Sequence, residues 1–405
     1  MQTALTPGVL ETAEGQEAEA ILRSCVHCGF CTAVCPTYAL LGDERDSPRG
    51  RIYLIKGVLE GQDVGPETQT HLDRCLTCRA CETVCPSGVQ YARLAEIGRH
   101  ALEQHVPRTW RQRVMRRLLR DVLSVTPRFS LLLGLGRLLR PVLSDRLKRK
   151  IPVAKPAGAW PAVRHARRVL VPAGCVQPAL EPGIDSALAR LLDQYGISAI
   201  HVATGCCGAI HQHLSAQEQA LLQIRVNIDA WWPEIQAGAE AIVETSSACG
   251  LMVREYGHLL RHDPAYADKA ARVSSMCRDP AELIDTLPLT PVGLGRRIAF
   301  HAPCSLQHGL ILDGRVESIL RKAGFVLLPI AESGMCCGSA GTYSILQPAL
   351  SGQLLERKLG HLEKYNPELI ATANIGCLAH LQSGSHVPVV HWLMLLDHPD
   401  IKPED

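Results

Sequence analysis

The sequence predicts an α+β chain: a helical N-terminal domain followed by two repeated α/β domains, each with a parallel sheet. Three observations carry this. Four cysteines and a proline recur at identical spacing fifty residues apart, in 25–36 and again in 75–86, among segments of helical pattern. The C-terminal half then repeats itself. RRVLVPAGC ends at Cys175 and RRIAFHAPC at Cys304, Cys206-Cys207-Gly208 returns as Cys336-Cys337-Gly338, and SSACG and NIGC place Cys249 and Cys377, at offsets of 129, 130 and 128 residues. Throughout that half, short apolar runs alternate with amphipathic stretches, the pattern of a parallel sheet with crossover helices. The expected divisions are residues 1–105, a connector over 106–165, a first repeat over 166–290 and a second over 291–405.

The N-terminal domain is built around Cys25-Val26-His27-Cys28-Gly29-Phe30-Cys31-Thr32-Ala33-Val34-Cys35-Pro36 and its copy Cys75, Cys78, Cys81, Cys85, Pro86. C-x2-C-x2-C-x3-C-P is the bacterial ligand run for paired [4Fe–4S] clusters, and its fourth cysteine serves the other cluster. The ferredoxin-like expectation is therefore crossed. Cys25, Cys28, Cys31 and Cys85 hold one cluster, and Cys75, Cys78, Cys81 and Cys35 hold the second. Zinc sites favour two CxxC pairs instead, and disulfides need an oxidising compartment. Helices are expected over 11–24, after Pro48, over 66–74, and from the end of the second run to about residue 105. Arg49 and Arg51 stand near both runs in sequence, either donating to cluster sulfur or simply opening a helix.

Composition sets the compartment. Hydrophobic residues at 46% and charged residues at 20% describe a globular protein with ample core. The first twenty residues lack the basic and apolar regions of a signal peptide, and no apolar run reaches the roughly 20 residues that span a bilayer. Seventeen cysteines in such a chain point to metal or redox chemistry in the cytoplasm. Net charge is only +2, yet between Val106 and Arg168 seventeen basic residues face two acids, an excess of +15, with leucines interleaved in FSLLLGLGRLLRPVL. Three readings fit: helices packed by their leucines on the first domain, docking to an acidic partner, or peripheral contact with an anionic membrane. No helix-turn-helix or aromatic platform supports nucleic acid. IPVAKPAGAWPAV (151–163) reads as a linker.

In each repeat the cysteines follow apolar runs, and loops at the carboxyl ends of parallel strands converge on one crevice. Cys175, Cys206, Cys207 and Cys249 should gather at one sheet edge, and Cys304, Cys336, Cys337 and Cys377 at another. Four thiols suit an ordinary cluster, a zinc ion, or a dithiol without metal, and the sequence leaves these open. His211, His213, His301, His308 and His380 stand beside them in sequence as candidate ligands or proton carriers. Cys277 has no counterpart and reads as a buried hydrophobe.

A two-cluster run followed by twin CCG repeats resembles the iron–sulfur subunits of glycolate oxidase, over essentially the full length. CVHCGFCTAVCPTYALLGDE, SPRGRIYLIKGVLEG, HLDRCLTCRACETVCPSGV, NIDAWWP, MCCGSAGTYS and TANIGC carry the resemblance. The wider family includes iron–sulfur subunits of D-lactate and glycerol-3-phosphate dehydrogenases and the cysteine-rich subunit of heterodisulfide reductase. The last of these closes each repeat with CxxC; here Met252 and His380 stand where the fifth cysteine would be. The resemblance implies an electron-transfer subunit that takes electrons from FAD-bearing subunits oxidising glycolate to glyoxylate and passes them towards quinone. The residues agree. No GxGxxG follows a strand, and alcohol oxidation is a two-electron event that one-electron clusters cannot perform without a flavin. The alternatives are the same role for D-lactate or glycerol 3-phosphate, a heterodisulfide-reductase-like thiol–disulfide oxidoreductase, and a cluster scaffold.

Overall fold

The computed structural model describes residues 1–144, 148–149, 151–202 and 204–398; Asp145, Arg146 and Lys150 of the basic stretch lie outside them, as do residues 399–405. Helices Ala13–Ser24, Pro48–Leu59, Pro66–Asp73 and Tyr91–His105 enclose the N-terminal core. Their starts are chemically specified. The Thr12 hydroxyl accepts from the Gly15 N–H, and the Ser47 hydroxyl from the Gly50 N–H ahead of a helix that opens on Pro48. Ala18, Leu22, Ile55, Leu94 and Leu102 fill the space between them. At Gly98 a Cβ would sit 2.6 Å from Ile55, so helices 48–59 and 91–105 meet at a position only glycine fits.

The connector forms two helices, Trp110–Leu123 and Thr126–Leu139, bent by 99° at their junction. Packing by leucines accounts for little of their attachment. Leu119 alone is buried in the first helix and no residue in the second. Arginines hold the pair instead. Arg108 and Arg116 reach Asp73 at 2.7 and 3.0 Å, and Arg137 donates to the carbonyls of Pro152 and Ala179. With the basic side so engaged, Leu118, Leu131, Leu132, Leu135, Leu138 and Leu139 stay exposed. No single helix among the described residues is long and apolar enough to cross a membrane.

The C-terminal half contains two four-stranded parallel sheets. Strands β1 (Arg167–Pro172), β2 (Ile197–Val202), β3 (Ala241–Val243) and β4 (Cys277–Arg278) run in the order β2-β1-β3-β4. Strands β5 (Arg297–His301), β6 (Val326–Leu327), β7 (Leu369–Thr372) and β8 (Val389–His391) repeat it as β6-β5-β7-β8. The duplication seen in the cysteines is thus a duplication of topology. Alternate residues of β1 face opposite ways, as strand geometry requires. Leu170 joins a core with Trp231, Ile242 and Tyr256, while Val169 and Val171 join a second core that also holds Ile298 and Phe300 of the other repeat. Helices Gly183–Gln194 and Trp392–Asp397 belong to that shared core, and Arg190 pairs with Asp397 at 2.6 Å.

Candidate metal centres

Each N-terminal cysteine run folds as a short loop closed by one helical turn, Phe30–Ala33 or Ala80–Thr83. The loops share a backbone device. His27 and Gly29 have φ of 57° and 86°, and Thr77 and Arg79, at the same places in the second run, have 52° and 62°. Left-handed residues fold the chain tightly enough to turn successive cysteines towards one point. The non-glycine residues bear a cost of roughly 1–2 kcal/mol each. Strain repeated at matched positions marks a functional constraint.

The two runs line two adjoining hollows, and they do so crosswise. Cys25, Cys28, Cys31 and Cys85 line the first, with Pro86, Arg49 and Tyr91 among its walls. Cys35, Cys75 and Cys78 line the second, and Cys81 borders both. Cys28 is exposed, so the first hollow opens to the surface. The Thr77 and Val89 N–H groups point at the Sγ atoms of Cys75 and Cys85, each at 3.4 Å, as N–H donors do around thiolates that carry iron.

The two arginines part company. Arg49 pairs with Glu44 at 2.6 Å. Arg51 is buried, its Nε donating to the His71 carbonyl at 2.7 Å, its Nη1 to Thr37 at 3.1 Å and its Nη2 to Asp46 at 3.2 Å. The fully buried Asp46 also receives Arg74 at 2.9 Å. Burial opposes ionisation of Cys75, but the positive charges of Arg51 and Arg99 outweigh it and hold the thiol below its ordinary range. Cys78 and Cys81 lack that compensation, and burial pushes both well up. Arg51 therefore acts on the second hollow through charge and packing; its three hydrogen bonds all go to oxygen.

In the C-terminal half the eight predicted cysteines do sit past the carboxyl ends of strands, in two rows. Cys175, Cys206, Cys207 and Cys249 follow β1, β2 and β3, each thiol against the next. Cys304, Cys336, Cys337 and Cys377 follow β5, β6 and β7 in the same way. The Gly208 and Gly338 N–H groups each donate to the first sulfur of their pair at 3.4 Å. Gly338 has φ of 91°, and a Cβ there would lie 2.8 Å from the Ser351 carbonyl oxygen, which requires glycine. Cys277 is buried on β4, apart from either row, with its Sγ directed at the Gly250 carbonyl.

Both repeats dock on the N-terminal domain. Cys304 and Cys336 pack with Leu76 and Cys78, so the second row lies directly against the second hollow. The Tyr343 hydroxyl donates to the Arg74 carbonyl at 3.0 Å, and Thr83 contacts His308 at 3.3 Å. The first repeat is held by charge: Glu255 binds Arg79 at 3.1 Å and also Arg93, and Arg261 binds Glu17 at 2.8 Å. Of the histidines singled out, His301 and His380 lie at the second row, His308 at the contact with the N-terminal domain, and His211 and His213 near Cys206. Sequence reasoning missed Glu244 and Lys358, two buried ionisable side chains. The first lies near Cys249 and Cys206 and the second near Cys337 and Cys336. The one available signal was a charge interrupting an apolar pattern where the other repeat keeps a neutral residue.

The donor sets fit metal chemistry: eight thiols in two hollows, sulfur-directed N–H groups and a compensating positive charge. Comparison with known families agrees. Residues 21–89 match a 4Fe-4S dicluster domain, and residues 169–254 and 298–382 each match a cysteine-rich domain. The chain is 51% identical to the glycolate oxidase iron–sulfur subunit of Escherichia coli (strain K12), over 98% of both chains. It is 29% identical to a probable glycolate oxidase iron–sulfur subunit of Bacillus subtilis (strain 168), over 90% of this chain and 89% of that one. Lactate utilization protein A of Shouchella clausii is 25% identical over 55% of this chain and 95% of its own length. With half its residues shared with the Escherichia coli protein from end to end, the chain belongs to the family of glycolate oxidase iron–sulfur subunits.

Proposed function

We propose that this chain is the electron-transferring subunit of a glycolate-oxidising complex, and that its two hollows hold [4Fe–4S] clusters in crossed register. Cys25, Cys28, Cys31 and Cys85 are the ligands of one, and Cys75, Cys78, Cys81 and Cys35 of the other. The reading rests above all on the crosswise lining of two adjoining hollows by eight cysteines. Bound there, the clusters supply one-electron transfer. The chain's residues do the rest. Arg51 and Arg99 bring positive charge to Cys75, and backbone N–H groups face the sulfurs. Tyr343 and Met335 help cover the second hollow from outside. The open mouth at Cys28 is the place for a donor to approach. Oxidation of glycolate removes two electrons at once, so an FAD-bearing partner subunit takes them and releases them singly. Residues 1–105 serve as the cluster domain, 106–165 as the connector, and 166–290 and 291–405 as the two repeats.

The connector is the membrane-facing element in this reading, which makes the chain cytoplasmic and peripheral, with quinone as acceptor. Exposed leucines lie on helices rich in arginine, the composition of a helix that rests in an anionic lipid interface. Thr126 of the second connector helix contacts the Gly174 carbonyl beside Cys175, so this surface adjoins the first thiol row. The deciding experiment is anaerobic co-purification from the native cell, with the bound subunits identified. Iron and sulfide are then counted, and dye reduction is assayed with glycolate, D-lactate and glycerol 3-phosphate. Eight irons and preference for glycolate support the reading. Four irons overturn the two clusters, and preference for D-lactate overturns the substrate.

A further inference from the structure

The two repeats share topology and cysteine spacing but differ in what is buried among their thiols. Three residues before Cys304 stands His301, where the first repeat has Pro172; twenty-one residues after Cys337 stands Lys358, where it has Ile228; five residues before Cys377 stands Thr372, where it has Glu244. The second row thus has an imidazole and a lysine amine beside it, and the first a buried carboxyl group. Glu244 is buried beside Cys249 and Cys206, and burial pushes its carboxyl well up, so the first row has a protonated acid for a neighbour and, with Pro172 at the place of His301, no imidazole.

His301 ends β5 and is 2% exposed, and neither Nδ1 nor Nε2 has a hydrogen-bond partner. A buried imidazole with both nitrogens orphaned is uncommon and calls for a partner. Its surroundings supply one. His301, Cys337 and Cys377 offer ligand atoms that all lie within 4.8 Å of one another, and all three residues are buried. They come from three rigid places: the end of a strand, the CCG turn, and the first turn of helix Ile375–Gln382. That turn is fixed by the Asn374 side chain, which accepts from the Gly376 and Cys377 N–H groups at 2.8 and 3.3 Å. Ser339, two residues past Cys337, ties the CCG turn to the same helix by donating to the Gly376 carbonyl at 2.8 Å.

We infer that the second repeat holds a single zinc-class divalent ion through His301, Cys337 and Cys377, with Cys336, which lies outside that group but whose thiol touches that of Cys337, drawn in as fourth donor, and that the first repeat, with Pro172 at the place of His301, holds none. The spacing favours one ion over a cubane cluster. Zinc takes sulfur at about 2.3 Å and nitrogen at about 2.0–2.1 Å, so its donors crowd round one point. A cubane distributes its ligands over four irons and spreads them further apart. Charge agrees. Three thiolates, a neutral imidazole and a divalent ion sum to one negative charge, and Lys358, held by the carbonyls of Glu332 and Ser333 at 2.8 and 3.2 Å, supplies the balancing positive one. The ion has no redox chemistry. Its role is to clamp strand end, CCG turn and helix together where Cys304 and Cys336 cover the second hollow. The inference goes beyond the electron-transfer reading and does not depend on the substrate.

The test is metal analysis of the full chain purified anaerobically, desalted against a chelator, with zinc, iron and acid-labile sulfide counted together. One zinc per chain is expected besides the N-terminal iron. His301→Leu should lower zinc at least tenfold with iron retained, and His301→Cys, which restores a donor, should recover it. Zinc X-ray absorption on the unaltered chain should give a shell of three sulfurs and one nitrogen, a readout that survives if the leucine variant does not fold. Zinc absent or removed by the chelator, zinc unaffected in His301→Leu, a shell without nitrogen, or additional iron with matching sulfide in place of zinc would each overturn the inference.

Discussion

Replacement of Arg51 by methionine tests how the second hollow is supported. The guanidinium makes three hydrogen bonds to three different segments: the carbonyl ending helix 66–73, Thr37 after the first cysteine run, and Asp46 ahead of helix 48–59. Methionine keeps much of the volume and removes the charge. Breaking a buried pair from one side costs roughly 3–5 kcal/mol, because the partner is left uncompensated. Asp46 here retains Arg74 at 2.9 Å, which places the expected loss near the low end, about 3 kcal/mol. On a domain of this size that lowers the melting temperature by roughly 10–20 °C. The matched variant Arg74→Met removes one bond from a side chain that is 30% exposed, so its loss should be about 1 kcal/mol. Arg51→Lys keeps the charge without the fork and should fall between. Anaerobic melts followed by the visible absorbance of bound iron–sulfur clusters give the ranking, and potentiometry adds a second readout. Loss of a positive charge near Cys75 should move one cluster to lower potential in Arg51→Met and leave the other unchanged. Equal melting of the Arg51→Met and Arg74→Met proteins, or an equal shift of both clusters, would refute the reasoning.

Four further outcomes are expected. Cys35→Ser should impair the cluster whose other ligands are Cys75, Cys78 and Cys81; electron paramagnetic resonance showing loss of the other cluster instead would reject crossed ligation. Gly338→Ala places a Cβ 2.8 Å from Ser351 O at a φ of 91° and should destabilise by about 2 kcal/mol or more, whereas Gly360→Ala, in an open helical position, should stabilise by roughly 0.5–1 kcal/mol in denaturant titrations. Binding to anionic vesicles should weaken between low and high salt, and also in Arg113→Glu/Arg117→Glu and in Leu131→Asn/Leu138→Asn; Arg116 is unsuitable for this test because it is paired with Asp73. Burial pushes the Asp185 carboxyl up to about 7. Its folded pKa thus exceeds the unfolded one, and the stability it contributes is fully present below about pH 4 and lost as pH rises to 7; Asp185→Asn should flatten that decline in unfolding midpoints compared between about pH 4 and 7.

How far the sequence could be read depended on whether a feature was written in spacing or in charge placement. Cysteine runs are spacing, so the offsets of 129, 130 and 128 were enough to foresee two equal sheets with thiols past their strand ends. Pro48 was enough to mark the start of helix 48–59, whereas the capping hydroxyls of Thr12 and Ser47 came to light only in the fold. The connector stayed open among three readings because leucine in a helix ordinarily signals core. Here Arg108, Arg116 and Arg137 make the attachments, leaving the leucines outward. Arg51 could not be told from Arg49 two residues earlier, since both open the same helix; only the fold brings Asp46, Thr37 and the His71 carbonyl round the former.

The shared core was the least legible feature, and it bears on what the duplication is for. A repeat that buried its own sheet completely would be free to move against its twin. Here Val169 and Val171 of β1 lie in one core with Ile298 and Phe300 of β5, and Arg190 reaches Asp397 across it. The repeats therefore behave as one body, held to the N-terminal domain at two places: salt bridges at Glu255 and Glu17, and the apolar contact of Cys304, Cys336 and Tyr343. A body fixed twice keeps the two thiol rows at constant positions relative to the hollows. Within that fixed frame the cysteines of the two rows keep step while their buried neighbours differ, Glu244 at one and His301 and Lys358 at the other.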